Sequence, residues 1–206
     1  MSPCDPPRRS DGRCYLVAGL QGRDGNKVSQ MANQIANHIN VRSFAEADAA
    51  QVRALFIRVN RLLAPADLKD VFERFIVLSL SEEINRISDY YRERRGGFWV
   101  ALIGAEVVGM FGLEQSGPGA MELRRMYVDP DRRRVGIGRK LLQFAEDQCR
   151  ADNVHRLDLS TSETQPEALA LYRNSGFEAV REEVAEAANN KTIGAGVRRY
   201  YFKKDI

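Results

Sequence analysis

The sequence predicts a mixed α/β fold, a mostly antiparallel central sheet with helices on both faces. Three observations predict the architecture. Segments of alternating and of 3.6-residue apolar spacing succeed one another as strand, helices, three strands, helix, strand, helix and two strands. The three middle strands are joined by short connections, which makes them antiparallel neighbours. At 206 residues, 44% hydrophobic and 29% charged, the chain is large enough for one domain with a real core.

The elements follow in order. "INVRSF" (residues 39–44) alternates like a short strand. "AEADAAQVRALFIRVNRLL" puts Val52, Leu55, Phe56, Val59 and Leu63 at helical spacing, and Pro65 ends the run. "ADLKDVFERFIVLSLSEEINRISDYYRER" reads as one or two further helices, with a restart near Ser81 and Glu83, closed by Gly96 and Gly97. "FWVALI" and "VVGMFGLEQ" are apolar strands around a tight turn at Gly104, Ala105 and Glu106. "SGPG" reads as a loop, and "AMELRRMYVD" as a strand that Pro130 terminates. A helix runs from Gly136 to about Ala151, followed by the strand "VHRLDLSTS". "QPEALALYRNSG" is a helix with Pro166 in its first turn and Gly176 past its end, the asymmetry helices favour. "FEAVREEVA" and "VRRYYFKK" are the last strands. Residues 1–36, rich in Pro, Gly, Arg and Asp and without a sustained period, are expected to form a disordered extension, leaving 37–206 as the domain. Met1 and Met31 both remain as starts.

A formal net charge of +3 suits anionic small ligands without arguing for nucleic acid. Cys4, Cys14 and Cys149 are odd in number and form no CxxC pair, so a reduced, cytoplasmic compartment is expected. No apolar run approaches the roughly 20 residues of a membrane span, and "CYLVAGL" is too short for a signal sequence. The expected partners are therefore small molecules, with neither nucleic acid nor membrane, and a homodimer is left open. Histidines and cysteines show no metal-ligand spacing, so no metal is expected.

One stretch demands a ligand. In "DPDRRRVGIGRKLLQFAEDQCR" the arginines crowd the start of a helix, where the helix already carries partial positive charge. Gly136 and Gly138 let a ligand approach the backbone, and first-turn amides have no acceptors within the helix. A phosphate satisfies those amides, and Arg133, Arg134 and Arg139 add charge-assisted bonds. A solvated basic helix start is the bland alternative. A P-loop needs Lys-Ser or Lys-Thr where Arg139 and Lys140 stand, and a Rossmann fingerprint needs a small residue where Leu141 stands.

These residues resemble a known family. Arg133-x-x-Gly136-x-Gly138 is similar to the pyrophosphate-binding signature of the GNAT superfamily of acetyl-CoA-dependent N-acetyltransferases, and "ALALYRNSGF" resembles its second motif, about 34 residues further on. The resemblance extends over roughly residues 39–206 and implies the acyl-CoA N-acyltransferase fold. It implies that acetyl-CoA is the cosubstrate. Its pyrophosphate would lie on the amides of Arg134, Val135, Gly136, Ile137, Gly138 and Arg139. Its pantetheine arm would pair with main-chain groups at Met126, Tyr127 and Val128, in a gap between splayed strands. Gln165 stands where the family often has an Asn bonding the pantetheine, and is longer by one methylene. Tyr172 matches the tyrosine near the CoA sulfur and is the candidate acid. Glu122, eleven residues before Arg133, is the candidate base. Strand alternation places Glu122, Arg124, Met126 and Val128 on one side. An edge glutamate paired with Arg124 or Arg125 is the alternative for Glu122, and a core aromatic for Tyr172.

The implied activity is direct acetyl transfer to a primary amine, of a small amine or amino acid; a protein N-terminus or lysine is the rival, and a non-catalytic acetyl-CoA sensor another. The acceptor pocket is expected from the early helices, the "SGPG" region and the last loop. Phe72, Phe75, Tyr90 and Tyr91 are lining or core candidates, and Arg94, Arg95, Arg198 and Arg199 candidates for an acceptor carboxylate. His38 and His155 are expected to be structural or solvated, and Cys149 a buried small hydrophobe.

Overall fold

Seven strands form one sheet: β1 (Ile39–Ser43), β2 (Gly97–Ile103), β3 (Glu106–Gly117), β4 (Ala120–Val128), β5 (Arg156–Ser162), β6 (Glu178–Ala185) and β7 (Val197–Asp205), in the order β1-β2-β3-β4-β5-β7-β6. The computed structural model describes residues 38–206. The expectations for the N-terminal extension, for Cys4 and Cys14 and for a start at Met31 lie outside the described residues. All neighbouring strands are antiparallel except β4 and β5. A parallel pair needs a long crossover, and α4 (Ile137–Ala151) is that crossover. Helices α1 (Ala49–Leu63), α2 (Lys69–Glu82) and α3 (Ile87–Glu93) connect β1 to β2, and α5 (Pro166–Asn174) connects β5 to β6.

The sheet is covered on both faces because its strands alternate. Phe98, Val100 and Leu102 of β2 enter one core with Val52, Phe56 and Val59 of α1, Phe72 and Phe75 of α2, and Tyr90 and Tyr91 of α3. Ala101, between them in β2, enters the other core with Ile137, Leu141 and Ala145 of α4 and Tyr172 of α5. Each fully buried large apolar side chain contributes about 1.5–3 kcal/mol by leaving water. Gly112 of β3 matters to the first core for a steric reason. A Cβ there would lie 2.3 Å from the Tyr91 hydroxyl, so only glycine admits that ring against the sheet.

Two local expectations are corrected. The "SGPG" segment is not a four-residue loop: β3 runs on through Gly117, which pairs with Ala120, and the turn is Pro118–Gly119, with Gly119 at φ +63°. Strand alternation along β4 also fails. Arg124 pairs with Gly112 but Tyr127 pairs with Met110, so β4 carries an extra residue, and Arg125 sits there at φ +51°. This β-bulge shifts the side-chain phase. Arg124 and Arg125 turn to the same side, Tyr127 packs in the α1–α3 core, and Met126 and Val128 pack on the α4–α5 face. Glu122, Arg124, Met126 and Val128 therefore do not share one side.

Candidate active site

The bulge is anchored by buried charge. Glu83, 0% exposed just past the end of α2, accepts bonds from four donors. Arg124 donates at 2.9 Å, Arg125 through two nitrogens at 2.8 and 3.1 Å, and the Tyr91 hydroxyl at 2.7 Å. Burial alone would raise the Glu83 carboxyl pKa; Arg125 and Arg124 outweigh it, and the net shift is downward. Arg124 also donates to Glu114 of β3 at 2.9 Å and to the Tyr90 hydroxyl at 2.6 Å. A left-handed φ is costly for a residue with a Cβ, and at Arg125 these bonds hold it.

The loop between β6 and β7 closes over the same cluster. The Asn190 carbonyl accepts from Arg125 at 2.5 Å and from Arg124 at 3.2 Å. The Lys191 ammonium donates to Glu114 at 2.7 Å and to Glu122 at 2.6 Å. Burial opposes the Lys191 charge, but Glu122 and Glu114 prevail and its pKa is raised. The partner of Glu122 is therefore Lys191, not Arg124 or Arg125.

Beyond the bulge β4 leaves β5. The two pair only from Ala120 with Arg156 to Leu123 with Leu159. Past that point Met126, Tyr127 and Val128 have no partner on β5, which opens the gap between splayed strands. The chain then turns: Asp129 accepts from the Asp131 amide at 2.9 Å and from Arg58 at 3.1 Å. Arg134 at φ +62° and Gly136 at φ +87° twist the loop into α4. A Cβ at Gly136 would meet no atom within 4 Å, so glycine is required there by its φ rather than by space. No side chain caps α4, leaving first-turn amides for an anion. Arg134 and Arg139 are exposed and make no ion pair among the described residues, and Arg133 reaches only Glu167, at 3.9 Å.

Two cavities result. A cleft of ≈ 1120 Å³ runs over the end of β4, the start of α4 and α5. Met126, Tyr127, Val128, Arg133, Arg134, Val135, Gly136, Ile137, Gly138, Arg139, Gln165 and Tyr172 all line it. Glu122 does not; it lines a second cavity of ≈ 70 Å³, with Ser160, Lys191 and Arg199. Met126, Tyr127, Gln165 and Tyr172 border both, so the cavities meet there. Burial, and secondarily Tyr127, push the Tyr172 phenol well above its ordinary pKa, and its hydroxyl makes no hydrogen bond to a described residue. The Gln165 carbonyl oxygen accepts from Thr161 at 2.6 Å, leaving its NH₂ to donate.

Among the acceptor-pocket candidates, Phe72 and Phe75 line the smaller cavity, while Tyr90 and Tyr91 are core. The "SGPG" region does not line it; that turn sits beside His155, whose amide donates to Gly119, at the far end of β4. His38 and His155 are exposed. Cys149 is buried, and burial pushes its thiol up to about 11. Among the described residues no cluster of three or more His, Cys, Asp or Glu can hold a metal ion, and no helix is long and apolar enough to cross a membrane. Sequence reasoning missed Glu83, Glu114 and Lys191 as members of the site. Glu83 left a signal: it falls between Leu80 and Ile87 on the apolar stripe, where a charge needs a buried partner.

Comparison with known proteins bears on this arrangement. A family model described as acetyltransferase (GNAT) family matches residues 66–177. The chain is 34% identical to human N-acetyltransferase 8 over 119 residues, 53% of this chain and 51% of that one. It is 40% identical to the IAA acetyltransferase of Azospirillum brasilense over 81 residues, 39% of this chain and 53% of that one. The chain thus spans about half the length of the curated relatives it matches. Its fold is that of a GNAT-family acetyltransferase from Staphylococcus aureus Mu50, with TM-score 0.63, 21% identity, and 81% of this chain and 98% of that chain covered. The PaiA N-acetyltransferase of Thermoplasma acidophilum, in complex with coenzyme A, superposes with TM-score 0.63 and 17% identity over 82% of this chain and 99% of that one.

Proposed function

The chain belongs to the acetyltransferase (GNAT) family, and on that premise we propose that it is an N-acetyltransferase. It moves an acetyl group from acetyl-CoA to the amine of a small amine or amino acid by direct attack. The observation that carries this reading is the meeting of the two cavities at Met126, Tyr127, Gln165 and Tyr172, one of ≈ 1120 Å³ that includes the start of α4, the other of ≈ 70 Å³. The coenzyme A in the PaiA enzyme supports the choice of cosubstrate.

Each part of acetyl-CoA then has a place. The pyrophosphate takes the uncapped amides from Arg134 to Arg139 and the guanidinium groups of Arg133, Arg134 and Arg139. The pantetheine arm adds as a strand along Met126, Tyr127 and Val128, with the Gln165 NH₂ as a further donor. The acetyl group ends beside Tyr172. An acceptor of few atoms suits the smaller cavity, of ≈ 70 Å³.

The chemistry needs a base for the ammonium and an acid for the departing thiolate. The acceptor's ammonium displaces Lys191 from Glu122 and gives its proton to that carboxylate. The amine nitrogen attacks the thioester carbonyl carbon, and the C–S bond breaks. The departing thiolate takes the proton of the Tyr172 hydroxyl, which its raised pKa keeps in place until that moment, and the second proton of the attacking nitrogen, shed as the amide forms, restores that hydroxyl. Acetyl-CoA turnover, followed by release of free thiol with a panel of amines, tests the proposal. No thiol release with any amine would refute it.

A further inference from the structure

Resting on that reading, we propose that Arg199 binds a carboxylate on the acceptor, so that the substrate is an amino acid rather than a simple alkylamine.

The argument starts from which arginines are spoken for. Arg94 lies over the Tyr90 ring, 3.6 Å from its centroid, and approaches Glu93 and Glu114. Arg95 is exposed, and Arg198 donates to Glu182 at 2.9 Å. None of these three lines the smaller cavity; Arg199 does. It stands on β7 opposite Ser162 of β5, half-buried, and donates to the Ser160 hydroxyl at 2.6 Å. Among the described residues it forms no ion pair, whereas Arg124 and Arg125 in the same cavity wall each have a carboxylate.

A charge withdrawn from water without a counterion is costly. Burial, the largest influence, holds the Arg199 pKa below its ordinary value, and Tyr201 and Glu122 do not compensate. The wall as a whole tells the same story. Arg124, Arg125 and Lys191 each pair directly with Glu83, Glu114 or Glu122, and of the cations lining this cavity Arg199 is the one with no such ion pair among the described residues. A guanidinium whose outer nitrogen is tied to Ser160 keeps other N–H groups for a carboxylate. An amino acid fits both walls, with its ammonium on Glu122 and its carboxylate on Arg199.

The test uses matched substrates: the standard amino acids, their amides, and the amines left by decarboxylation, each with acetyl-CoA. The wild type is expected to favour the carboxylate forms in kcat/KM by about 30-fold or more, as removal of one partner of a desolvated charge pair implies. Arg199→Gln should erase that preference, mainly by raising KM. Turnover of the amides should fall far less than that of the acids, and the rise in Tm that acetyl-CoA produces should stay as it was. Arg199→Lys should restore part of the preference. Wild-type turnover without a carboxylate preference overturns the assignment of Arg199 while leaving the acetyltransferase reading intact. So does an equal loss on acids and amides in Arg199→Gln. No turnover of any substrate overturns both. Should Arg199→Gln fail to fold, the wild-type comparison alone decides.

Discussion

Glu83→Gln keeps the shape of the side chain and removes its charge from the centre of the buried cluster. Glutamine offers one acceptor oxygen to the four donors that Glu83 satisfies, and turns an NH₂ towards the rest. Arg124 keeps Glu114, but Arg125 is left with the Ser79 hydroxyl and the Asn190 carbonyl. Removing one partner of a buried ion pair costs about 3–5 kcal/mol, because the other charge stays behind unpaired. That is a large part of the roughly 5–15 kcal/mol by which a domain is stable. At about 2–4 °C per kcal/mol for a domain of this size, Tm should fall by about 6–20 °C. Glu73→Gln is the control. Its pair with Arg61 is 2.7 Å long but has side-chain exposures of 44% and 60%, so the loss should stay under about 1 kcal/mol. The pH dependence follows from the lowered pKa of Glu83. The stabilisation is complete above the unfolded carboxylate pKa of about 4.3, and is lost as pH falls through the lower folded value. The variant should lack that acid-labile component. Urea unfolding of wild type and both variants, at neutral pH and through the acid range, measures this. A Glu83→Gln loss no larger than that of Glu73→Gln would refute the view that this carboxylate holds the bulge. Because the bulge sets the end of β4, the variant should also show a smaller rise in Tm with acetyl-CoA.

Gly136→Glu puts a carboxylate and a Cβ at φ +87° in the anion site. The stabilisation by acetyl-CoA, about 2.7 kcal/mol at a hundredfold excess over Kd in the wild type, should vanish, and an unchanged ligand-dependent rise in Tm would show the site to be misplaced. Tyr172→Phe should lower kcat by about 10²–10⁴-fold with acetyl-CoA affinity little altered; a kcat within threefold of wild type removes the hydroxyl from the mechanism. Glu122→Gln should lose most activity at low pH, where the acceptor is ammonium, and recover as rising pH supplies free amine. A kcat/KM defect constant from about pH 6 to 9.5 would make Glu122 structural.

Local signals wrote most of the fold into the sequence. Apolar spacing marks a helix or a strand without reference to the rest of the chain, and Pro166 and Gly176 bracket α5 by backbone chemistry alone. The same holds for the larger cleft. Its residues lie in two short runs, around Gly136 and around Tyr172, each legible as a motif, and folding brings both to one cavity. The bulge at Arg125 was not legible, because a left-handed arginine carries no local mark. It exists through bonds to Glu83, 42 residues away, and to Asn190, 65 residues away. The partner of Glu122 was hidden for the same reason, since Lys191 lies 69 residues on. Four arginines were equal candidates for a carboxylate until packing gave Arg94 and Arg198 carboxylate partners and left Arg199 in a cavity wall with no ion pair among the described residues. Residue type and spacing marked out the segment proposed for a phosphate-bearing ligand. Which charges face each other depended on contacts between distant segments, because a buried charge is decided by what encloses it rather than by its neighbours in the chain.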